Sequence, residues 1–155
     1  MNVVIILGSR SDLPVMKEAA AVLDDFGVDY RFKVVSAHRT PHLLLETVHA
    51  LEADDTEVII AGAGLAAHLP GIIASYTTIP VVGVPLSAGS LGGIDALLSI
   101  VQMPKPIPVA AVGINNAANA AYMACHILSL KYPKIKEKLK AMRAQLAGAA
   151  LEAES

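Results

Sequence analysis

The sequence predicts an α/β fold, a parallel sheet lying between two layers of helices, and three observations carry that prediction. Five short runs rich in Val and Ile recur along the chain, and apolar runs of that length suit strands buried on both faces. Segments with helical start and stop signals separate them. The chain has 155 residues, the size of one ordinary domain, and strand–helix–strand repetition within a domain joins parallel neighbours by crossovers.

Taken in order, VVIIL at 3–7 is the first strand. A helix follows at 13–26, with Ser11 and Asp12 as its start signal, Pro14 in the first turn where no backbone donor is needed, and Gly27 as its stop. RFKVV at 31–35 is the second strand, followed by a helix at 41–51 with Thr40 as candidate cap. VIIA at 58–61 precedes a helix at 69–76, VVGV at 81–84 precedes one at 95–101, and VAAVGI at 109–114 precedes one at 116–130. Five strands connected this way suit the order 2-1-3-4-5 of a flavodoxin-like three-layer sandwich.

The last segment, YPKIKEKLKAMRAQL, adds a C-terminal amphipathic helix at 132–147. Its apolar residues Ile135, Leu139, Met142 and Leu146 recur at spacings of three and four. Its lysines form either a plain solvated face or the flank of a helix that packs on a neighbouring subunit, and the second is the expectation. The tail at 148–155 is expected to fray. No repeat, linker or composition shift divides the chain, so residues 1–155 form a single flavodoxin-like domain.

Composition narrows the function classes. The chain is 54% hydrophobic and 17% charged, against about 25% charged in a typical soluble domain. So little polar side chain predicts a homo-oligomer that hides apolar surface between subunits. A net charge of −2 gives no field to recruit nucleic acid. The single cysteine, Cys125, sits in an apolar helical run and reads as a small buried hydrophobe, in keeping with a reducing, cytoplasmic setting. MNVVIILG lacks the pattern of a signal peptide. The most apolar window, 58–76, contains Gly62, Gly64, His68, Pro70 and Gly71, so no membrane span is expected.

Ligands of open parallel sheets bind beyond the carboxyl ends of the strands, where strand order reverses. Three loops converge on that edge. GSRSD, 8–12, offers a close-approach glycine, two hydroxyls and the free amides of a helix start. It is neither a P-loop nor G-x-G-x-x-G, Asp12 suits a ribose hydroxyl or ring amine better than phosphate, and capping by Ser11 or Asp12 explains the loop equally well. SAHRTP, 36–41, brings an arginine fork that matches phosphate oxygens and, in His38, a group that exchanges protons near neutral pH. AGAGLAAHLPG, 61–71, has almost no side chain beyond its glycines and alanines, so its backbone can press against a flat ring. His68 in that loop has either a turn-orienting or a chemical role. His42 and His49 lie on the second helix and His126 beside Cys125; no H-E-x-x-H or paired-cysteine spacing exists, so no metal is expected. No G-x-S-x-G elbow supports a hydrolase.

Together GSRSD, SAHRTP, AGAGLAAHLPG, PVVGVP and GIDALLSIVQMP, in that order over residues 3–130, resemble the N5-carboxyaminoimidazole ribonucleotide mutase (PurE) family of purine biosynthesis. The resemblance implies an octamer of flavodoxin-like subunits and a rearrangement without cofactor or metal. In it, the carboxylate of the substrate leaves the exocyclic nitrogen and reappears on ring carbon four. By matching motif, it implies that Ser9, Ser11, Asp12, Ser36 and Arg39 hold the ribose phosphate and that His38 is the general acid–base. It further implies that Gly64, Ala66, Ala67, His68 and Leu69 line a carbon dioxide pocket. The partner implied is a small-molecule ribonucleotide. A second class of the family carboxylates aminoimidazole ribonucleotide directly and has a more polar third loop, so AAHLPG favours the mutase. A non-catalytic nucleotide-binding module is the rival from another class. Two departures stand out: Leu65 occupies a position where the family usually has glycine, and MPKPIP, 103–108, replaces a glycine-bearing turn.

Overall fold

In a computed structural model, which describes residues 2–153, the chain forms one five-stranded parallel sheet in the order expected, 2-1-3-4-5. The strands are β1 (Asn2–Leu7), β2 (Asp29–Val34), β3 (Val58–Gly64), β4 (Val81–Leu86) and β5 (Ala110–Ala111). The helices are α1 (Leu13–Phe26), α2 (Pro41–Glu52), α3 (Leu69–Ser75), α4 (Ile94–Val101), α5 (Ala117–Leu128) and α6 (Pro133–Ala153). Successive side chains of a strand point to opposite faces, and β1 uses this alternation fully. Val3, Ile5 and Leu7 join a core with Met16 and Leu23 of α1, Ala120 and Ala124 of α5 and Ile135 of α6. Val4 and Ile6 join the opposite core with Leu44, Val48 and Leu51 of α2, Ile73 of α3 and Ile100 of α4. All five apolar side chains of 3–7 are fully buried, which is why that run shows no alternation of apolar and polar residues.

Several boundaries differ from expectation, each for a physical reason. β2 starts at Asp29 rather than 31, because Asn2 and Val3 pair with Asp29 and Tyr30, and an edge strand tolerates polar residues on its open flank. β3 continues past 61 to Gly64, since Gly62, Ala63 and Gly64 pair with Val84, Pro85 and Leu86 of β4. The small residues there read as loop in the sequence, yet their neighbour supplies the ladder. β5 is reduced to Ala110–Ala111, opposite Val82 and Gly83. Beyond it the chain turns through Asn115, at φ 57°, and Asn116 caps α5 by accepting the Asn119 amide at 3.1 Å. α5 accordingly starts at Ala117 and ends at Leu128, inside the expected 116–130.

The helix caps also differ from expectation. Ser9, not Ser11 or Asp12, caps the helical entry: a 3-10 turn at Arg10–Asp12 precedes α1, with Ser9 and Asp12 forming a reciprocal capping box. Thr40 holds the N-cap position of α2, where its carbonyl accepts the Leu44 amide at 3.1 Å, but its side chain makes no capping bond; its hydroxyl donates back to the Ser36 carbonyl at 2.9 Å. Gly27 does terminate α1, in the left-handed region at φ 67°.

α6 buries Ile135 and Leu139 against the rest of the chain, and Lys138 Nζ donates to the Asp25 carbonyl at the end of α1. The helix continues to Ala153, through a segment whose alanines and leucine favour helix. Residues 154–155 of the expected tail lie outside the described residues. Cys125 is fully buried, and burial pushes its thiol up to about 11, the behaviour of an inert packing residue. Among the described residues, no helix is long and apolar enough to cross a membrane.

Candidate active site

The site follows from the strand order. β1 leads by α1 to β2 on one side, and β2 leads by α2 to β3 on the other side of β1. α1, which follows β1, and α3, which follows β3, lie on opposite faces, so the loops that leave β1 and β3 diverge and open a crevice between them. The loop after β2 folds over the same edge. These three loops line a cavity of about 420 Å³, within the roughly 300–1,000 Å³ usual for small-ligand sites.

The loop after β1 is held by its own polar groups. The Ser9 amide donates to Asp12 Oδ2 at 3.0 Å, and the Ser11 amide donates to Ser9 Oγ at 3.3 Å. The Ser11 hydroxyl lies 2.8 Å from Ser9 Oγ and 3.3 Å from Asp12 Oδ1. Burial pushes the Asp12 carboxyl above its ordinary range, against the Ser9 amide and Ser11 hydroxyl, which favour its charge. Capping and ligand binding are therefore not alternatives: the capping network sets two hydroxyls and a carboxylate along the cavity wall.

The loop after β2 is tied to the first by Arg39. Its Nε donates to Ser36 Oγ and its Nη2 to the Gly8 carbonyl, both at 3.2 Å. The Arg39 amide also donates to Ser36 Oγ at 3.2 Å. One serine thus orients the guanidinium from both its side-chain and backbone ends, and the remaining N–H groups of the fork are left for an anion.

The loop after β3 turns tightly, with the Ala67 amide donating to the Gly64 carbonyl at 3.0 Å. Leu65 and Ala67 are both left-handed, at φ 56° and 34°, a conformation that costs a non-glycine residue on the order of 1 kcal/mol. Gly64 sits in a tight spot: a Cβ there would lie 3.0 Å from Ala88 Cβ and 3.1 Å from the Leu86 carbonyl oxygen. His68 makes no capping hydrogen bond to α3. Its ring instead meets that of His38, with centroids 3.9 Å apart and planes tilted by 54°. Desolvation, and then the neighbouring His38, hold the His68 imidazole below its ordinary pKa. His68 thereby favours the neutral form, which lets it approach a second imidazole without charge repulsion.

Of the residues singled out in the sequence, Ser9, Ser11, Asp12, Ser36, His38, Arg39, Gly64, Ala67 and His68 share the cavity wall. Ala66 and Leu69 are not in it. Ala66 is exposed at the turn, and Leu69 is 3% exposed, packed in the core under the site. Gly8, the close-approach glycine, also lines the cavity, as do Ala37, Ala63, Leu65 and Ala88, for which no binding role was legible in the sequence. Ala88 belongs to the glycine-rich loop after β4, whose small residues on the same sheet edge were the available signal. His42, His49 and His126 are exposed and stand apart from this wall. A larger groove of about 620 Å³ runs between α5 and α6, beside Tyr122, Met123, Met142 and Leu146. It lacks the convergent hydroxyls, carboxylate and histidine pair of the smaller cavity.

Comparison with known proteins agrees with this geometry. A family profile described as AIR carboxylase matches residues 2–149. The N5-carboxyaminoimidazole ribonucleotide mutase of Pyrococcus abyssi is 65% identical over 139 residues, covering 90% of this chain and 80% of that protein. The enzyme of the same name from Thermotoga maritima is 54% identical over 148 residues, covering 96% of this chain and 86% of its own. Among solved structures, Treponema denticola PurE superposes with a TM-score of 0.90 at 29% identity, over 97% of this chain and 94% of that one.

Proposed function

The chain belongs to the AIR carboxylase family, and from that membership we propose that it is an N5-carboxyaminoimidazole ribonucleotide mutase of de novo purine biosynthesis. The observation that carries the reading is the His38–His68 pair, which lines the same cavity as Ser9, Asp12 and Arg39. Nothing in sheet packing calls for two imidazoles at 3.9 Å, whereas a proton-transfer reaction on a phosphorylated nucleotide calls for both halves.

In this mechanism Arg39, Ser36 and the loop at Ser9–Asp12 hold the ribose phosphate and ribose, which fixes the imidazole ring relative to His38. His38 protonates the exocyclic nitrogen. The carbon–nitrogen bond of the carbamate breaks, its electron pair stays on nitrogen, and carbon dioxide is released beside the ring. Ring carbon four then attacks the carbon dioxide, forming the new carbon–carbon bond. The proton displaced from that carbon returns to His38, so atoms and charge balance and the histidine is regenerated. His68, held neutral, supports the chemistry by adding no positive charge beside His38. The small wall of Gly64 and Ala67 suits a linear neutral gas and leaves little room for water.

The subunit acts within a homo-oligomer, an octamer by analogy with the family resemblance. Support comes from the low charge content and from the outer face of α4. There Ile94, Leu98 and Val101 are all more than half exposed, next to Leu91; such a stripe is the mark of an interface. Leu146, exposed on α6, leaves that helix a second surface for a neighbour. A biosynthetic role on a free nucleotide supports a cytoplasmic location. Light scattering coupled to size exclusion tests the assembly, and a clean monomer refutes it.

The family description also covers direct carboxylation of aminoimidazole ribonucleotide, the one rival with a specific observation behind it. Coupled assays separate the two. Conversion of the carbamate substrate at low bicarbonate is expected; turnover only of aminoimidazole ribonucleotide with bicarbonate would sink the mutase reading.

A further inference from the structure

We infer that Leu65 is a positioning residue, an apolar flap that closes the carboxyl-transfer cavity against the loop after β4 and retains carbon dioxide between its release and recapture. The inference rests on the mutase reading and adds a role for a residue that reading does not use. Leu65 lines the cavity together with Ala67 and His68, yet it is 54% exposed. It is therefore held at the cavity mouth by neither burial nor a hydrogen bond. Its backbone is left-handed at φ 56°, where glycine would be less strained. Across the gap Gly89 receives it: a Cβ on Gly89 would lie 2.9 Å from Leu65 Cδ2. A strained leucine facing a glycine closes the edge between β3 and β4 with hydrocarbon alone. Carbon dioxide carries no net charge and no donor, so an apolar wall is the means by which this edge would hold it.

The test is isotopic. Substrate labelled with carbon-13 in its carbamate is turned over in unlabelled bicarbonate, and label retained in the product is compared for wild type, Leu65→Ala and Leu65→Gly. Wild type is expected to retain most of the label. Leu65→Ala, which keeps a Cβ, and Leu65→Gly are expected to lose label to solvent about tenfold more per turnover, the scale of a missing methylene in a small apolar pocket. Melting temperatures are read alongside, because relief of the left-handed strain makes Leu65→Gly no less stable than Leu65→Ala. Equal retention in all three proteins overturns the flap, even if their stabilities differ. Wild type that forms no product from the carbamate overturns the mutase reading, and the flap with it. Active wild type that retains no label refutes the flap but leaves the reaction assignment standing.

Discussion

Replacing Arg39 with alanine separates phosphate binding from loop architecture. The guanidinium bridges two loops, through Nε to Ser36 Oγ and Nη2 to the Gly8 carbonyl, each at 3.2 Å. Both are single hydrogen bonds at an exposed side chain, so their loss alters the loop modestly. A charge-assisted hydrogen bond to a phosphate contributes about 1.5–3 kcal/mol. At about 1.4 kcal/mol per decade, that is a rise in Kd of about tenfold to 150-fold for the ribonucleotide. Because Arg39 is exposed, the low end is expected, shrinking further as salt rises. Calorimetric titration of wild type and Arg39→Ala, each with the ribonucleotide and with the riboside lacking phosphate, gives the required cycle. The ribonucleotide should weaken and the riboside should not. Equal weakening of both ligands would show that Arg39 only braces the loops, and unchanged affinity for the ribonucleotide would remove it from the site.

His38→Asn keeps the size and polarity of the loop but removes the proton carrier. Turnover should fall by about 10²–10⁴ while nucleotide affinity holds, and a variant with wild-type turnover would return the function to simple binding. Gly64→Ala places a methyl 3.0 Å from Ala88 Cβ and 3.1 Å from the Leu86 carbonyl oxygen. Because one neighbour is backbone, a loss of about 1–3 kcal/mol is expected, visible as a lowered melting temperature; an unchanged one would mean that the loops separate freely. His68 has a folded pKa below its ordinary 6.5, so the unfolded chain binds more protons in the window beneath that value. Its contribution to stability is therefore complete above pH 6.5 and declines as pH falls toward the folded pKa. His68→Gln should flatten this part of the melting-temperature profile, and identical profiles would refute the environment assigned to the ring.

The parallel sheet was legible because its middle strands are buried on both faces and carry uninterrupted Val and Ile, as at 3–7. Where that cause is absent, legibility fails. Asp29 and Tyr30 are polar on an open edge, Gly62–Gly64 owes its ladder to β4, and β5 is only two residues long. The polar loops of the site stood out for the opposite reason, as charged and hydroxyl groups in a chain with few of either. Ala66 and Leu69 belonged to the same stretch as real wall residues, but a left-handed turn carries one outward and the other down. No spacing rule reveals such a turn when Leu65 and Ala67 stand where glycine would announce it.

The sequence by itself determined the layered parallel sheet and the polar and glycine-rich loops that follow its strands, because burial and chain connectivity impose their patterns locally. Tertiary structure alone decided that His38 and His68 meet at 3.9 Å, that Arg39 ties Ser36 to Gly8, and that Leu65 leans toward Gly89. Those contacts join loops that follow different strands, and their distances depend on where β1, β2, β3 and β4 place the loops in space.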